Sequence, residues 1–172
     1  MTTRRRFLIA LALPAFIAGC GWQPLYANHE TEPVNDQLRA IRVVPILERV
    51  GQRLEMALRN SLNPDNLPTQ HTYILQVTIG TAMADLGIQS QGLGTRGEVT
   101  VSATYKLSEI ASKQQVQTGT IRATDSFDIQ ANGYSTVVAQ DDAYTRCVED
   151  IRREIVARLT LFLQDRKAVA AS

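Results

Sequence analysis

Cys20 is the residue whose type and setting most plainly carry chemistry. It closes the string Ile17-Ala18-Gly19-Cys20, at the end of an apolar run from Phe7 to Ala18 that Arg4, Arg5 and Arg6 precede. A basic start, a short apolar stretch and small residues before a cleavage point make an export signal. A cysteine directly after two small residues is the bacterial lipobox. The chemistry it predicts is an S-diacylglycerol on the Cys20 thiol, a cut between Gly19 and Cys20, and N-acylation of the freed amine. The run is shorter than the roughly 20 apolar residues that span a bilayer, and Pro14 interrupts it. Residues 1–19 therefore read as a cleaved lipoprotein signal peptide. Thr3-Arg4-Arg5-Arg6-Phe7-Leu8 fits a twin-arginine signal and an ordinary general secretory start equally well. Gly21, where aspartate would retain a lipoprotein in the inner membrane, favours the outer membrane with the protein on its periplasmic side.

The remaining chemistry-bearing residues do not converge. His29 and His71 have no cysteine or carboxylate at metal-ligand spacing. No nucleophile elbow or phosphate loop is present. Gly87, Gly92, Gly94 and Gly97 do not follow a strand and open a helix, as a dinucleotide fingerprint requires. Asp125 and Asp128 are close enough in sequence for a carboxylate pair, with capping or solvation at a strand end as the plainer reading. Without a converging acid, base and nucleophile the chain reads as non-enzymatic, with no metal and no cofactor beyond the covalent lipid. Arg96, in the glycine-rich stretch, is placed to reach a partner or an anion from a hairpin tip, or simply to sit in a solvated loop. If Cys20 carries lipid, Cys147 has no intramolecular partner. It reads as a small buried hydrophobe on a helix, with an intermolecular bridge as the alternative.

Removal of residues 1–19 leaves 153 of the 172 residues, enough for one domain. Three of the 18 basic residues leave with the signal and none of the 17 acidic ones does, so 15 face 17 and the net charge is −2. That balance lacks the basic footprint of nucleic-acid binding. Membrane attachment then rests on acyl chains, which hold stably when there are two or more.

The elements that must position these residues follow from periodicity. Residues 20–36 read as a lipidated tether, 37–166 as one globular α/β domain, and 167–172 as a loose tail. Leu38–Ile46 reads as a first strand ended by Pro45. Glu48–Leu62, with Val50, Leu54, Leu58 and Leu62 at spacing four, reads as an amphipathic helix that Asn63-Pro64 stops. Tyr73, Leu75, Val77 and Ile79 share one side of a second strand. Val99, Val101, Ala103, Tyr105 and Leu107 alternate with polar residues in a third. Val116–Ile129 forms a fourth, with a bulge expected near Asp125 because it breaks the apolar side. Asn132-Gly133 is a turn, Ser135 the expected N-cap, and a helix follows to about Leu163. Tyr144, Cys147, Val148, Ile151, Ile155, Leu159 and Phe162 line it at spacings of three and four.

The order β-α-β-β-β-α predicts an α+β fold, a two-layer sandwich. The first β-α-β unit makes a parallel pair and the later links make hairpins. The result is a mixed four-stranded sheet with two helices on one face. Pairing Ser108 near Val116 sets Lys106 opposite Thr118, Thr104 opposite Thr120 and Ser102 opposite Arg122. The uncovered face is then a Thr/Ser ladder, either simply wet or made to meet a polar partner.

Three stretches carry a family resemblance: Cys20-Gly21-Trp22-Gln23-Pro24-Leu25-Tyr26; Thr95-Arg96-Gly97-Glu98-Val99; and Phe127-Asp128 through Asn132-Gly133-Tyr134 and Asp142-Ala143 to Leu159. Together they resemble the LPS-assembly lipoprotein family, LptE, in its α-proteobacterial form. The resemblance spans essentially the whole mature chain and implies the same two-helix, four-stranded fold. It also implies a plug inside the lumen of the outer-membrane β-barrel LptD, assisting the barrel's assembly and the delivery of lipopolysaccharide to the outer leaflet. The family's basic lipopolysaccharide-binding residues would correspond to Arg96, Lys106 and Arg122. The other function weighed is a solitary periplasmic lipid- or small-ligand-binding lipoprotein, accessory to a transporter.

Overall fold

The computed structural model describes residues 32–88 and 94–170. The chain divides into Met1–Glu32 and Pro33–Ser172, and the architecture below is that of the second unit. Its elements are α1 (Glu32–Arg39), β1 (Ile41–Val43), α2 (Arg49–Leu62), β2 (Tyr73–Ile88), β3 (Gly94–Glu109), β4 (Gln115–Asp128) and α3 (Gly133–Ala170). The sheet order is β1-β2-β3-β4. β1 and β2 are parallel, the other pairs antiparallel. This is the expected mixed α+β sheet.

The sheet forms because one side of each strand is apolar. Val99, Val101, Ala103, Tyr105 and Leu107 are all buried on β3, with Leu75 and Val77 beside them on β2 and Ile121, Ala123 and Phe127 on β4. Leu54, Leu58 and Leu62 of α2 close over one part of this surface. Ala143, Cys147, Ile151, Ile155, Leu159 and Leu163 of α3 close over another. Spacing four along both helices keeps each row on a single stripe.

Five local readings change. Residues 32–39 are helical, and Val34 and Leu38, four apart, are buried in the core. The folded unit therefore begins before residue 37, inside the stretch read as tether. The last helix runs to Ala170, through most of the residues read as a tail. Its N-terminus is capped by Asn132, whose Oδ1 accepts the Tyr134 amide at 3.0 Å, and Ser135 lies inside the helix. The irregularity in the β3–β4 ladder falls at Leu107/Ser108, while Val99 pairs regularly with Asp125. Asp125 stays in the ladder because its carboxylate, on the helix side, is bound by Arg146 of α3. Finally, β1 is three residues long, shorter than the predicted Leu38–Ile46, because Pro45 and the Glu48 turn take the chain away from β2.

Candidate functional site on the open sheet face

Strand alternation turns the other side of the sheet away from the core, and among the described residues no helix lies over it. Its rows run across three strands: Gln76, Lys106 and Thr118; Thr78, Thr104 and Thr120; Gly80, Ser102 and Arg122; Ala82, Thr100 and Thr124; Ala84, Glu98 and Ser126; Leu86, Arg96 and Asp128. Three of the expected pairings, Lys106 with Thr118, Thr104 with Thr120 and Ser102 with Arg122, occur as read. Thr100 and Thr124 share a hydroxyl hydrogen bond of 3.1 Å, as do Thr104 and Thr120. Ser102 Oγ donates to the Gly80 carbonyl at 3.4 Å. These short side chains bond to one another and leave the middle of the face low and polar.

Arg96, Lys106 and Arg122 all lie on this face, but they do not form one pocket. Arg122 is opposite Ser102, four residues from Lys106 along β3, or about 13 Å at strand rise. Arg96 is ten residues from Lys106, about 33 Å. Both separations exceed the screening length of about 8 Å at physiological salt, so each cation acts alone. Among the described residues neither Lys106 nor Arg122 forms an ion pair.

Arg96 sits in β3 and not on a loop, since pairing continues through Leu86–Arg96 to Ile88–Gly94. Its Nη2 donates to Ser126 Oγ at 2.7 Å. The cleft beside it, about 270 Å³, contains Arg146 but also Asp128 and Asp142, so its charges offset. The Asp125–Asp128 pair does not exist. Three residues apart on a strand, they point to opposite faces. Asp125 meets Arg146, and that hydrogen bond holds its carboxyl below the usual carboxylate range, more strongly than burial raises it. Cys147 is fully buried in the stripe of α3, and burial pushes its thiol up to about 11. Cys20, His29 and the glycine-rich tip at 89–93 lie outside the described residues.

Two features of the sheet, one on each face, were not read from the sequence. Arg42, between buried Ile41 and Val43, joins the open face as a fourth cation; the alternation Ile-Arg-Val was the available signal. On the helix side, Thr81, Met83 and Asp85 of β2 are exposed, and Met83 is 57% accessible. The helix layer thins here, because α2 begins only at Arg49 and α3 lies mainly over β3 and β4, reaching this strand where Gln140 Nε2 donates to Met83 Sδ at 3.3 Å.

No family model matches the chain, and no curated protein sequence matches it. Solved structures share its fold. A protein described as a lipoprotein from Caulobacter crescentus is 20% identical over 77% of this chain and 96% of its own, with a TM-score of 0.63. Rare lipoprotein B from Shewanella oneidensis is 9% identical over 77% and 97%, at 0.51. A minor lipoprotein from Acinetobacter baumannii is 14% identical over 72% and 92%, at 0.50. At these identities the likeness is one of fold.

Proposed function

We propose that this chain is a non-enzymatic outer-membrane lipoprotein, anchored at Cys20, that seats inside a large β-barrel of the LptD type. There it assists the barrel's assembly and helps deliver lipopolysaccharide. The observation that carries the reading is the open face. Three strands present six rows, mostly of threonine, serine, alanine, glycine and isolated charges, with no helix over them among the described residues. Wide membrane barrels have polar interiors, and a low, polar, hydrogen-bonding sheet suits such a wall better than it suits an apolar ligand. The lipobox at Ile17–Cys20 and the resemblance of Cys20–Tyr26 to LptE support the anchor and the family. The fold shared with other lipoproteins agrees with both.

Direct lipopolysaccharide contact, on this reading, uses Arg96, Lys106 and Arg122 as separate points along a track, since their spacing rules out a single clamp. Helices occupy most of the apolar side of the sheet, leaving only the end of β2 around Met83 open, and this leaves the solitary lipid-binding reading without an apolar cavity among the described residues in its favour.

The test is capture from outer membranes in mild detergent through a C-terminal tag on the lipidated chain. A stoichiometric large β-barrel in the eluate is expected. Recovery of the chain alone, at a level matching its total expression, would sink the proposal. The Cys20→Ala chain should lose both acyl groups, seen by mass, and leave the membrane fraction.

A further inference from the structure

β1 is an edge strand, and its peptide groups are not all spent on β2. The Tyr73 amide donates to the Ala40 carbonyl at 3.3 Å and the Val44 amide to the Leu75 carbonyl at 2.9 Å. Ile41 and Val43 stand opposite Tyr73 and Leu75. In a parallel ladder this pattern turns the N–H and C=O groups of Ile41 and Val43 away from the partner strand. Beside that outward edge lies a cleft of about 580 Å³, walled by Ile41 and Val43 together with Arg39, Arg42, Arg59, Asn60, Asn66 and His71.

The wall is rich in donors. Arg39 is held by Asp36 at 3.2 Å and Asp65 at 2.9 Å, and Arg59 by Glu55 at 2.8 Å. None of these three carboxylates belongs to the wall. A guanidinium carries five N–H donors in a fixed fork, so arginines aimed by one or two carboxylates still have donors to spend. Arg42 is exposed and reaches the cleft from the open face.

A strand added to this edge would need an outward acceptor as well as donors. Arg59 Nη2 already lies 3.5 Å from the Val43 carbonyl, which leaves the Ile41 carbonyl as the one outward acceptor of the edge against the many donors of the wall. An oxyanion asks for donors alone, and planar guanidinium forks match phosphate oxygens in pairs. We propose that this cleft binds a phosphate group, with Arg42 and Arg59 as its principal ligands. The outward amides of Ile41 and Val43 and the rim residues Arg39 and His71 complete the shell. The proposal does not depend on the barrel reading, since the cleft lies at the sheet edge and excludes Lys106 and Arg122.

The same group can belong to a free phosphate compound or to a lipid headgroup, and one experiment has an arm for each. The full mature chain, isotope-labelled and held in dodecyl maltoside, is titrated with sodium phosphate at constant ionic strength. In the second arm the micelles are doped with dioleoyl phosphatidic acid. Saturable shifts of the Ile41 and Val43 amides and the Arg42 Nε–H are expected in at least one arm, and that arm identifies the source. Arg42→Gln should weaken the response roughly tenfold or more, and Arg42→Gln with Arg59→Gln should abolish it. Lys106→Gln with Arg122→Gln should leave it unchanged. Arg42→Gln changes an exposed side chain, so it serves if the double variant unfolds. No saturable shift in either arm, or shifts that Arg42→Gln leaves intact, would overturn the proposal.

Discussion

Gly97 and Gly119 each stand directly opposite an aromatic residue, Phe127 and Tyr105, across the β3–β4 ladder. Each ring lies over the bare backbone of its glycine, a device that shields weak points of a sheet. A methyl at Gly119 would sit 2.8 Å from the Tyr105 ring, and one at Gly97 would collide with Phe127. Gly97→Ala should therefore cost roughly 1–3 kcal/mol by overpacking, read from the urea midpoint at unchanged slope. Cys147 makes the opposite kind of prediction. With its thiol pushed up to about 11 by burial, almost no thiolate exists at neutral pH, and the thiolate is the reactive form. Iodoacetamide at pH 8 should leave Cys147 unmodified in the folded chain and alkylate it fully in denaturant. Rapid native alkylation, or a disulfide-linked dimer, would restore the intermolecular bridge as the reading of this residue.

At the scale of elements, one ion pair and one strained turn join the pieces. Arg53 of α2 donates to both carboxylate oxygens of Asp141 on α3, at 2.7 and 2.8 Å, and to Thr145 Oγ1 at 3.2 Å. Those bonds hold the Asp141 carboxyl below its ordinary value, as Arg146 holds Asp125. A carboxyl whose folded pKa lies below its unfolded one adds stability above the unfolded value and loses it as pH falls through the folded value. Urea stability should thus decline as pH drops below about 4. Asp141→Asn should flatten part of that decline while costing about 1 kcal/mol or less at pH 7, since the pair is partly exposed. An unchanged pH profile in that variant would remove Asp141 from the account. The turn is at Glu48, where φ 68° and ψ 158° put a non-glycine residue in a region suited to glycine, with no side-chain cap bond in return. Glu48→Gly should raise stability by about 1 kcal/mol through relief of that strain, visible as a higher melting temperature.

The same scale shows what could be read from residues alone. β3 was legible because both of its faces are specified: buried apolar positions on one side and threonines on the other wrote a clean period of two. β2 was legible only to Ile79. Beyond it Thr81, Met83 and Asp85 are exposed on the helix side, although Gln140 of α3 reaches the Met83 sulfur, so too little burial imposed alternation, and the strand went unseen as far as Ile88. Asp125 suggested a bulge because its partner, Arg146, lies 21 positions away on another element. α1 was hidden because Val34 and Leu38 are its only apolar side chains in eight residues. The shared face of Arg96, Lys106 and Arg122 followed from strand parity. Their failure to converge needed the register, and the cleft at β1 needed the chain crossing from α2.

For the whole molecule, the two faces of the sheet divide the work. The helix face makes the fold, and the open face is free to make a contact. Bulky replacements there, such as Thr104→Trp with Thr120→Trp, should leave the melting temperature nearly unchanged, because both threonines are exposed and none of the described residues packs above them, yet prevent recovery of the barrel. The claim that the open face meets a barrel wall is tested most directly by photo-crosslinking in intact envelopes. A photoreactive residue is placed at Thr104 or Thr120 on the open face, and at exposed Glu154 on the helix side. Cross-links to a large outer-membrane β-barrel from Thr104 and Thr120, and none from Glu154, are the predicted result. Cross-links from Glu154 alone, or none from the open face in a folded and lipidated chain, would contradict it.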